Sequence, residues 1–236
     1  MQIEDRAVLI TGANRGIGRA FVTEALARGA RKVYAGVRAP EAVDAELAEN
    51  PRVELLRMDI TEHGSVRDAA ETARDTALVI NNAGVAVFGS VLEGSMVDAR
   101  RVFETNVFGT WAVARSFASS LKEHRGALVN VVSAISWFSP PQNGAYAASK
   151  AAQWSLTNSM RLELAPHGVL VQGVHFGAVD TDFAKDYTGP KITADEVATM
   201  SLEGVEAGRT EVLVDEPSRL AKAALTDVPD VAPSNG

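Results

Sequence analysis

Residues 11–18 read Thr-Gly-Ala-Asn-Arg-Gly-Ile-Gly, and this short stretch constrains the chain more than any other. Before it stands Ala7-Val8-Leu9-Ile10, a continuous apolar run of the kind that forms a parallel strand buried on both faces. After it, Ala20, Phe21, Ala25 and Leu26 recur at helical spacing over 19–28. The glycines therefore sit on a strand-to-helix turn. There the free N–H groups and the dipole of the following helix favour an anion, and the missing side chains let a phosphate approach the backbone. The spacing is Gly12-x-x-x-Gly16-x-Gly18 rather than Gly-x-Gly-x-x-Gly. Glycines in such a run can also serve a tight turn alone, so the flanking strand and helix carry the anion reading.

The remaining pattern alternates in the same way. Strands are expected over 7–10, 32–37, 53–58, 77–80, 127–132, 169–175 and 211–214. Helices are expected over 40–48, 61–75 (with Thr61 as N-cap), 95–123, 145–164, 194–207 and 218–225. Alternating β and α elements with buried-type strands predict an α/β fold, a doubly wound parallel sheet of about seven strands with helices on both faces. Residues 1–228 read as one domain and 229–236 as a loose tail. The net charge of −7 argues against a nucleic-acid partner. The absence of cysteine excludes disulfides and thiolate chemistry. No run is long enough for a membrane span and residues 1–6 do not resemble a signal peptide, so a cytoplasmic protein with no membrane partner is expected. His63, His124, His167 and His175 show no metal-ligand spacing; they read as structural or solvent-facing, and no metal site is expected.

In a sheet of this kind ligands lie beyond the carboxyl ends of the strands. Asp59, Asn82, Gly84, Ser133, Phe176 and Gly177 all follow predicted strands. Tyr146-Ala-Ala-Ser-Lys150 puts a phenol and an ammonium on one helical face, where the cation would lower the tyrosine pKa and ready it for proton transfer.

Taken together, Thr11-Gly12-x-x-x-Gly16-x-Gly18, Asn81-Asn82-Ala83-Gly84, Asn106 within Glu104-Thr-Asn-Val-Phe-Gly109, Ser133 and Tyr146-x-x-x-Lys150 resemble the short-chain dehydrogenase/reductase family over roughly residues 5–215. The resemblance implies a Rossmann-like single domain that transfers hydride between a nicotinamide cofactor and a carbonyl or alcohol. It implies Tyr146 as proton donor or acceptor, Ser133 as the group that bonds the substrate oxygen, Lys150 as partner of Tyr146 and of the ribose, and Asn106 as holder of a water leading to Lys150. Its cofactor-binding set is Gly12, Asn14, Arg15, Gly16, Ile17, Gly18, Arg38, Asp59, Ile60, Asn82, Ala83, Gly84, Tyr146, Lys150, Gly177, Val179 and Thr181. Phe176 stands where the family commonly has proline.

Cofactor choice is read from the end of the second strand. The position that bears an acid in NAD enzymes is Val37, followed by Arg38, and Arg15 lies inside the glycine turn. Two arginines without a carboxylate favour a 2′-phosphate, hence NADP(H) over NAD(H). Val85, Val87 and Phe88 after the fourth strand, with Ile135, Trp137, Phe138 and Phe176, are expected to line an apolar substrate cleft around Ser133 and Tyr146, beneath a short lid, 182–192. A small carbonyl or alcohol substrate and a homodimer through 95–123 and 145–164 are expected, with a tetramer as the alternative. An epimerase or a dinucleotide-sensing regulator are the other readings. A sensor has no need of Ser133, Tyr146 and Lys150, and an epimerase of the longer branch needs more chain after the sixth strand.

Overall fold

Apolar side chains that alternate between the two faces of each strand build this molecule. A computed structural model describes residues 1–225, so the expected boundary at 228/229 lies outside the described residues. In β1 (Ala7–Thr11), Val8 and Ile10 enter one apolar cluster while Ala7 and Leu9 enter the other. The same division runs through β4 (Thr76–Asn81), with Leu78 and Ile80 on one side and Val79 on the other. Helices α1 (Gly16–Ala27) and α7 (Ala194–Glu206) cover the first cluster through Phe21, Val22, Val197 and Leu202. Helices α3 (His63–Thr72), α5 (Thr110–His124) and α6 (Gly144–Leu164) cover the second through Val66, Phe117, Leu121 and Met160. Each fully buried leucine or phenylalanine contributes roughly 1.5–3 kcal/mol.

The strands β2 (Lys32–Val37), β3 (Val53–Arg57), β5 (Ala127–Val131), β6 (Leu170–His175) and β7 (Glu211–Leu213) complete one parallel seven-stranded sheet. Its order is β3-β2-β1-β4-β5-β6-β7, so the winding reverses between β1 and β4. Thr11 and Asn82 stitch that junction. The Thr11 hydroxyl accepts from the Asn82 and Ala83 N–H groups at 3.1 and 3.0 Å, and Asn82 Nδ2 donates back to the Thr11 carbonyl at 3.0 Å. A buried polar chain fixes the next strands against α6: Asn81 donates to Asn130 at 3.0 Å, and Asn130 donates to Thr157 at 2.9 Å.

Three expected helices differ. The 40–48 segment divides into a 3₁₀ turn, Pro40–Ala42, and a short α2, Ala45–Ala48, because Asp44 caps a new start by accepting from the Leu47 N–H at 3.0 Å. Thr61 does not cap α3; its N–H and hydroxyl both donate to Asp59 Oδ1, and the helix begins two residues later. The 95–123 helix is interrupted: α4 (Met96–Phe103) and α5 flank a π-helical turn, Glu104–Gly109. There the missing side chain of Gly109 admits Ile60, whose Cδ1 would lie 2.8 Å from a Cβ. A last helix, α8 (Glu216–Ala223), starts at a capping box between Asp215 and Ser218. Among the described residues no helix is long and apolar enough to cross a membrane.

Candidate active site

The glycine turn is shaped as a cradle. Gly12 and Gly16 take left-handed backbone angles, φ 67° and 54°, which a side chain would strain. A Cβ on Gly18 would run into the Gly12 carbonyl, so this glycine serves close packing of α1 on β1. Arg15 is the N-cap of α1 but makes no side-chain capping bond, which leaves the first-turn N–H groups free for an anion. Thr181 overhangs the turn, its Cγ2 3.2 Å from where a Gly16 Cβ would be. These features, free N–H groups at a helix start beside glycines without side chains, fit an anionic group such as a pyrophosphate.

Other members of the expected cofactor set divide by what they already bind. Asp59 spends Oδ1 on Thr61, and Ile60 is buried, its side chain and carbonyl both packed against Gly109. The Asn82 side chain is committed to the Thr11 and Gly12 carbonyls, which makes it a brace for the turn. Gly177 donates its N–H to Asp215 Oδ2 at 2.7 Å, tying the loop after β6 to the start of α8. Val179 is buried, and the lid closes at its base where Val179 bridges Ile192. Arg38 is exposed at the end of β2, beside a buried Val37. Arg15 forms an ion pair with lid residue Asp182 at 3.0 Å, both side chains 77% exposed; such a pair is worth under about 1 kcal/mol and yields readily to a better anion.

The loop after β5 and the N-terminal half of α6 bring Ser133, Tyr146 and Lys150 together. Tyr146 is half-buried with its phenol end enclosed, and that enclosure raises its pKa far above the ordinary value; hydrogen bonding to Ser133 pulls the other way and is the weaker effect. Lys150 is not among the groups that move this pKa in the chain alone; burial of the phenol decides it. Lys150 is itself buried, and desolvation pushes its pKa down to about 7. Its Nζ lies 5.9 Å from the Tyr146 ring centre and donates to the Val131 carbonyl at 2.9 Å and to Gln153 Oε1 at 2.8 Å. Gln153 in turn donates to the Thr110 hydroxyl at 3.1 Å. Gln153 and Thr110 thus hold Lys150, and sequence reading missed both. The signal was the i, i+3 spacing of Lys150 and Gln153 on one helical face.

Asn106 sits on the π-helical turn with its side chain already bonded. Oδ1 accepts from the Val85 N–H at 2.9 Å, and Nδ2 donates to the Val85 carbonyl at 2.8 Å and the Ser149 hydroxyl at 3.0 Å. Its amide thus clamps the loop after β4 to α6. Gly84 lies between Asn106 Oδ1 and Lys150 Nζ, 3.2 and 3.9 Å from its would-be Cβ.

The substrate side departs most from expectation. Phe176 is 6% exposed and belongs to the core, so it forms no cleft wall; its carbonyl instead accepts from the Ser133 hydroxyl at 3.3 Å. Trp137 turns away as well, stacking on His175 at 4.0 Å and meeting Trp154 edge-on. Ile135 is half-buried and gives its N–H to Ser133, while Phe138 remains exposed. The rings that flank Tyr146 are Phe88, edge-on at 6.3 Å, and Phe183 of the lid, tilted at 5.7 Å. Phe183 went unnamed in the sequence reading because nothing local ties the lid to α6.

The buried Lys150 carries a testable cost. Its folded pKa of about 7 lies below the reference 10.5, so the unfolded chain holds the proton more tightly. The native state is penalised at acid and neutral pH, and the penalty fades as pH rises from 7 towards 10.5, by a few kcal/mol in total at about 1.36 kcal/mol per unit. Thermal unfolding of the cofactor-free protein should therefore show Lys150→Met gaining on the parent most at pH 6 and least at pH 10. A difference in Tm independent of pH would place the cost elsewhere.

Comparison with known proteins bears on the family and the fold. Residues 6–191 match the short chain dehydrogenase family. The 3-alpha-(or 20-beta)-hydroxysteroid dehydrogenase of Mycobacterium bovis is 30% identical over 183 residues, covering 75% of this chain and 70% of its own length. A short chain dehydrogenase from Burkholderia cenocepacia, solved in complex with NADP, shares the fold at a TM-score of 0.91 and 39% identity, covering 96% of this chain and 95% of that one. A short chain dehydrogenase/reductase from Burkholderia phymatum, solved with NAD, gives 0.84 and 27%, covering 94% and 92%. With most of the sequence matched and the fold shared almost end to end, this chain belongs to the short-chain dehydrogenase/reductase family and is an oxidoreductase of CH–OH groups that uses a nicotinamide dinucleotide.

Proposed function

We propose that this protein interconverts neutral, largely apolar ketones or aldehydes and their alcohols with NADP(H), Tyr146 exchanging the proton. The observation that carries the reading is the Tyr146 phenol, enclosed beside the Ser133 hydroxyl and framed by the exposed rings of Phe88 and Phe183. The Gly12–Gly18 turn with Thr181 and the backbone of 82–84 would hold the cofactor, whose chemistry when bound would be to supply or accept the hydride. Burial keeps Tyr146 protonated at neutral pH, which suits a proton donor to a carbonyl oxygen. Ser133 donates to the same oxygen and stabilises the charge that grows there. Lys150, held by the Val131 carbonyl and the Gln153–Thr110 chain one helical turn from Tyr146, supports a role as that residue's partner, and Asn106 holds the loop that shapes this corner. The hydroxysteroid dehydrogenase among the relatives supports an apolar, ring-bearing substrate.

Exposed Met96, Val97, Phe108 and Trp111 along α4, the π-helical turn and α5 support a homodimer through those helices. We place the enzyme in the cytoplasm.

Following nicotinamide absorbance with NADPH across a panel of acetophenone, cyclohexanone, a steroid ketone and a 2-keto acid tests the substrate class. The neutral ketones should be turned over faster than the acid. Phe183→Ala should raise KM for the steroid ketone more than for cyclohexanone. A clear preference for the keto acid would overturn the substrate reading.

A further inference from the structure

Ser133 has a backbone that only glycine adopts freely, φ 132° and ψ 154°. A serine there is strained and persists only where its surroundings hold it. Three donors converge on its carbonyl: the Ser136 N–H at 3.2 Å, the Ser136 hydroxyl at 2.8 Å and His175 Nδ1 at 3.1 Å. His175, at the end of β6, is completely buried. The opposite tautomer would aim the Nδ1 lone pair at the Ser133 carbonyl oxygen, with only the Ser136 hydroxyl at 3.4 Å to meet it, a hydroxyl already donating to that carbonyl at 2.8 Å, and would send its N–H towards Glu211 Oε1, 3.9 Å away and out of bonding range. The network therefore selects a neutral ring with the proton on Nδ1. Trp137 stacks on that ring at 4.0 Å, and Lys222 of α8 lies 4.9 Å over Trp137 while bonded to Glu211 at 2.9 Å.

We propose that His175, together with Ser136, is a positioning residue of the active site: by anchoring the Ser133 carbonyl it holds the strained backbone that aims the Ser133 hydroxyl at Tyr146. The inference rests on the reading of Ser133 as the group that bonds the substrate oxygen. It also gives a role to the Trp137–Lys222–Glu211 cover, which keeps the imidazole dry and in one orientation. His175 never meets the substrate; it acts through the peptide of Ser133.

The test compares His175→Leu, which fills the space without a donor, with His175→Asn, whose amide can replace Nδ1–H. In crystal structures, Ser133 should relax from its positive φ in the leucine variant and keep it in the asparagine variant. Against the most rapidly reduced ketone of the panel above, kcat should fall about 10²-fold in His175→Leu, with the NADPH Kd by fluorescence unchanged, and recover in His175→Asn. In a Ser133→Ala background, His175→Leu should cost nothing further. Ser136→Ala, which removes one of the three donors, serves if His175→Leu fails to fold; it should lower kcat and leave the NADPH Kd alone. An unmoved Ser133 backbone in His175→Leu, full kcat in the variant that folds, or an additive loss on top of Ser133→Ala would overturn the proposal. A fully active Ser133→Ala would instead sink the role given to Ser133 itself.

Discussion

Tyr146→Phe should reduce kcat for carbonyl reduction by 10²–10⁴-fold, the usual cost of losing a positioned acid, while leaving Tm and NADPH binding close to those of the parent. The variant keeps the ring that packs between Phe88 and Phe183 and deletes only the O–H. Ser133 would still hold the substrate oxygen, so the residual rate measures what orientation achieves without a proton source. Because burial keeps the phenol protonated, the loss should be severe for reduction across neutral pH. Oxidation needs the phenolate, which the same burial disfavours, and should therefore run best at alkaline pH. Single-turnover kinetics with prebound NADPH isolates the chemical step. A rate within a few-fold of the parent there would remove Tyr146 from proton transfer.

The second large effect is cofactor discrimination. A 2′-phosphate adds close to two negative charges. The end of β2 offers it the exposed Arg38 next to the buried Val37, which stands where an acid would, while nearby Glu41 is paired with Arg57 at 2.7 Å. Arg15 is the second candidate partner, and its exposed pair with Asp182 is too weak to withhold it. Charge-assisted bonds of about 1.5–3 kcal/mol each predict a preference for NADPH of roughly ten- to a thousand-fold in kcat/KM. Arg38→Ala and Arg15→Ala should each raise KM for NADPH with little change for NADH. Asp182→Asn should lower KM for NADPH slightly by freeing Arg15. Val37→Asp should tilt the enzyme towards NADH by repelling the phosphate and accepting a bond from the ribose hydroxyl. Equal or better kcat/KM with NADH in the unmutated enzyme would overturn the assignment.

What could be read from the residues was whatever depends on near neighbours in the chain. Strand after strand appears where apolar runs predicted, because burial on both faces demands uninterrupted apolar side chains. The glycine turn and the Tyr146–Lys150 pair were legible for the same reason: φ > 0 needs glycine, and positions i and i+4 share a helical face. Side chains whose surroundings come from distant segments were not legible. Trp137 and Phe176 look like cleft walls in sequence, yet β6, α6 and α8 draw the first onto His175 and the sheet core takes the second. Asn106 was named, but its π-helical turn and its bonds to Val85 and Ser149 arise only when α4–α5 packs beside Gly84 and α6. His175 looked inert for want of a ligand partner nearby in sequence; the sheet places β6 beside β5 and so sets its Nδ1 against a carbonyl 42 residues away. Local periodicity reports which face of an element is buried, whereas the partner that face meets, and the pKa that results, follow from the order in which strands are laid side by side.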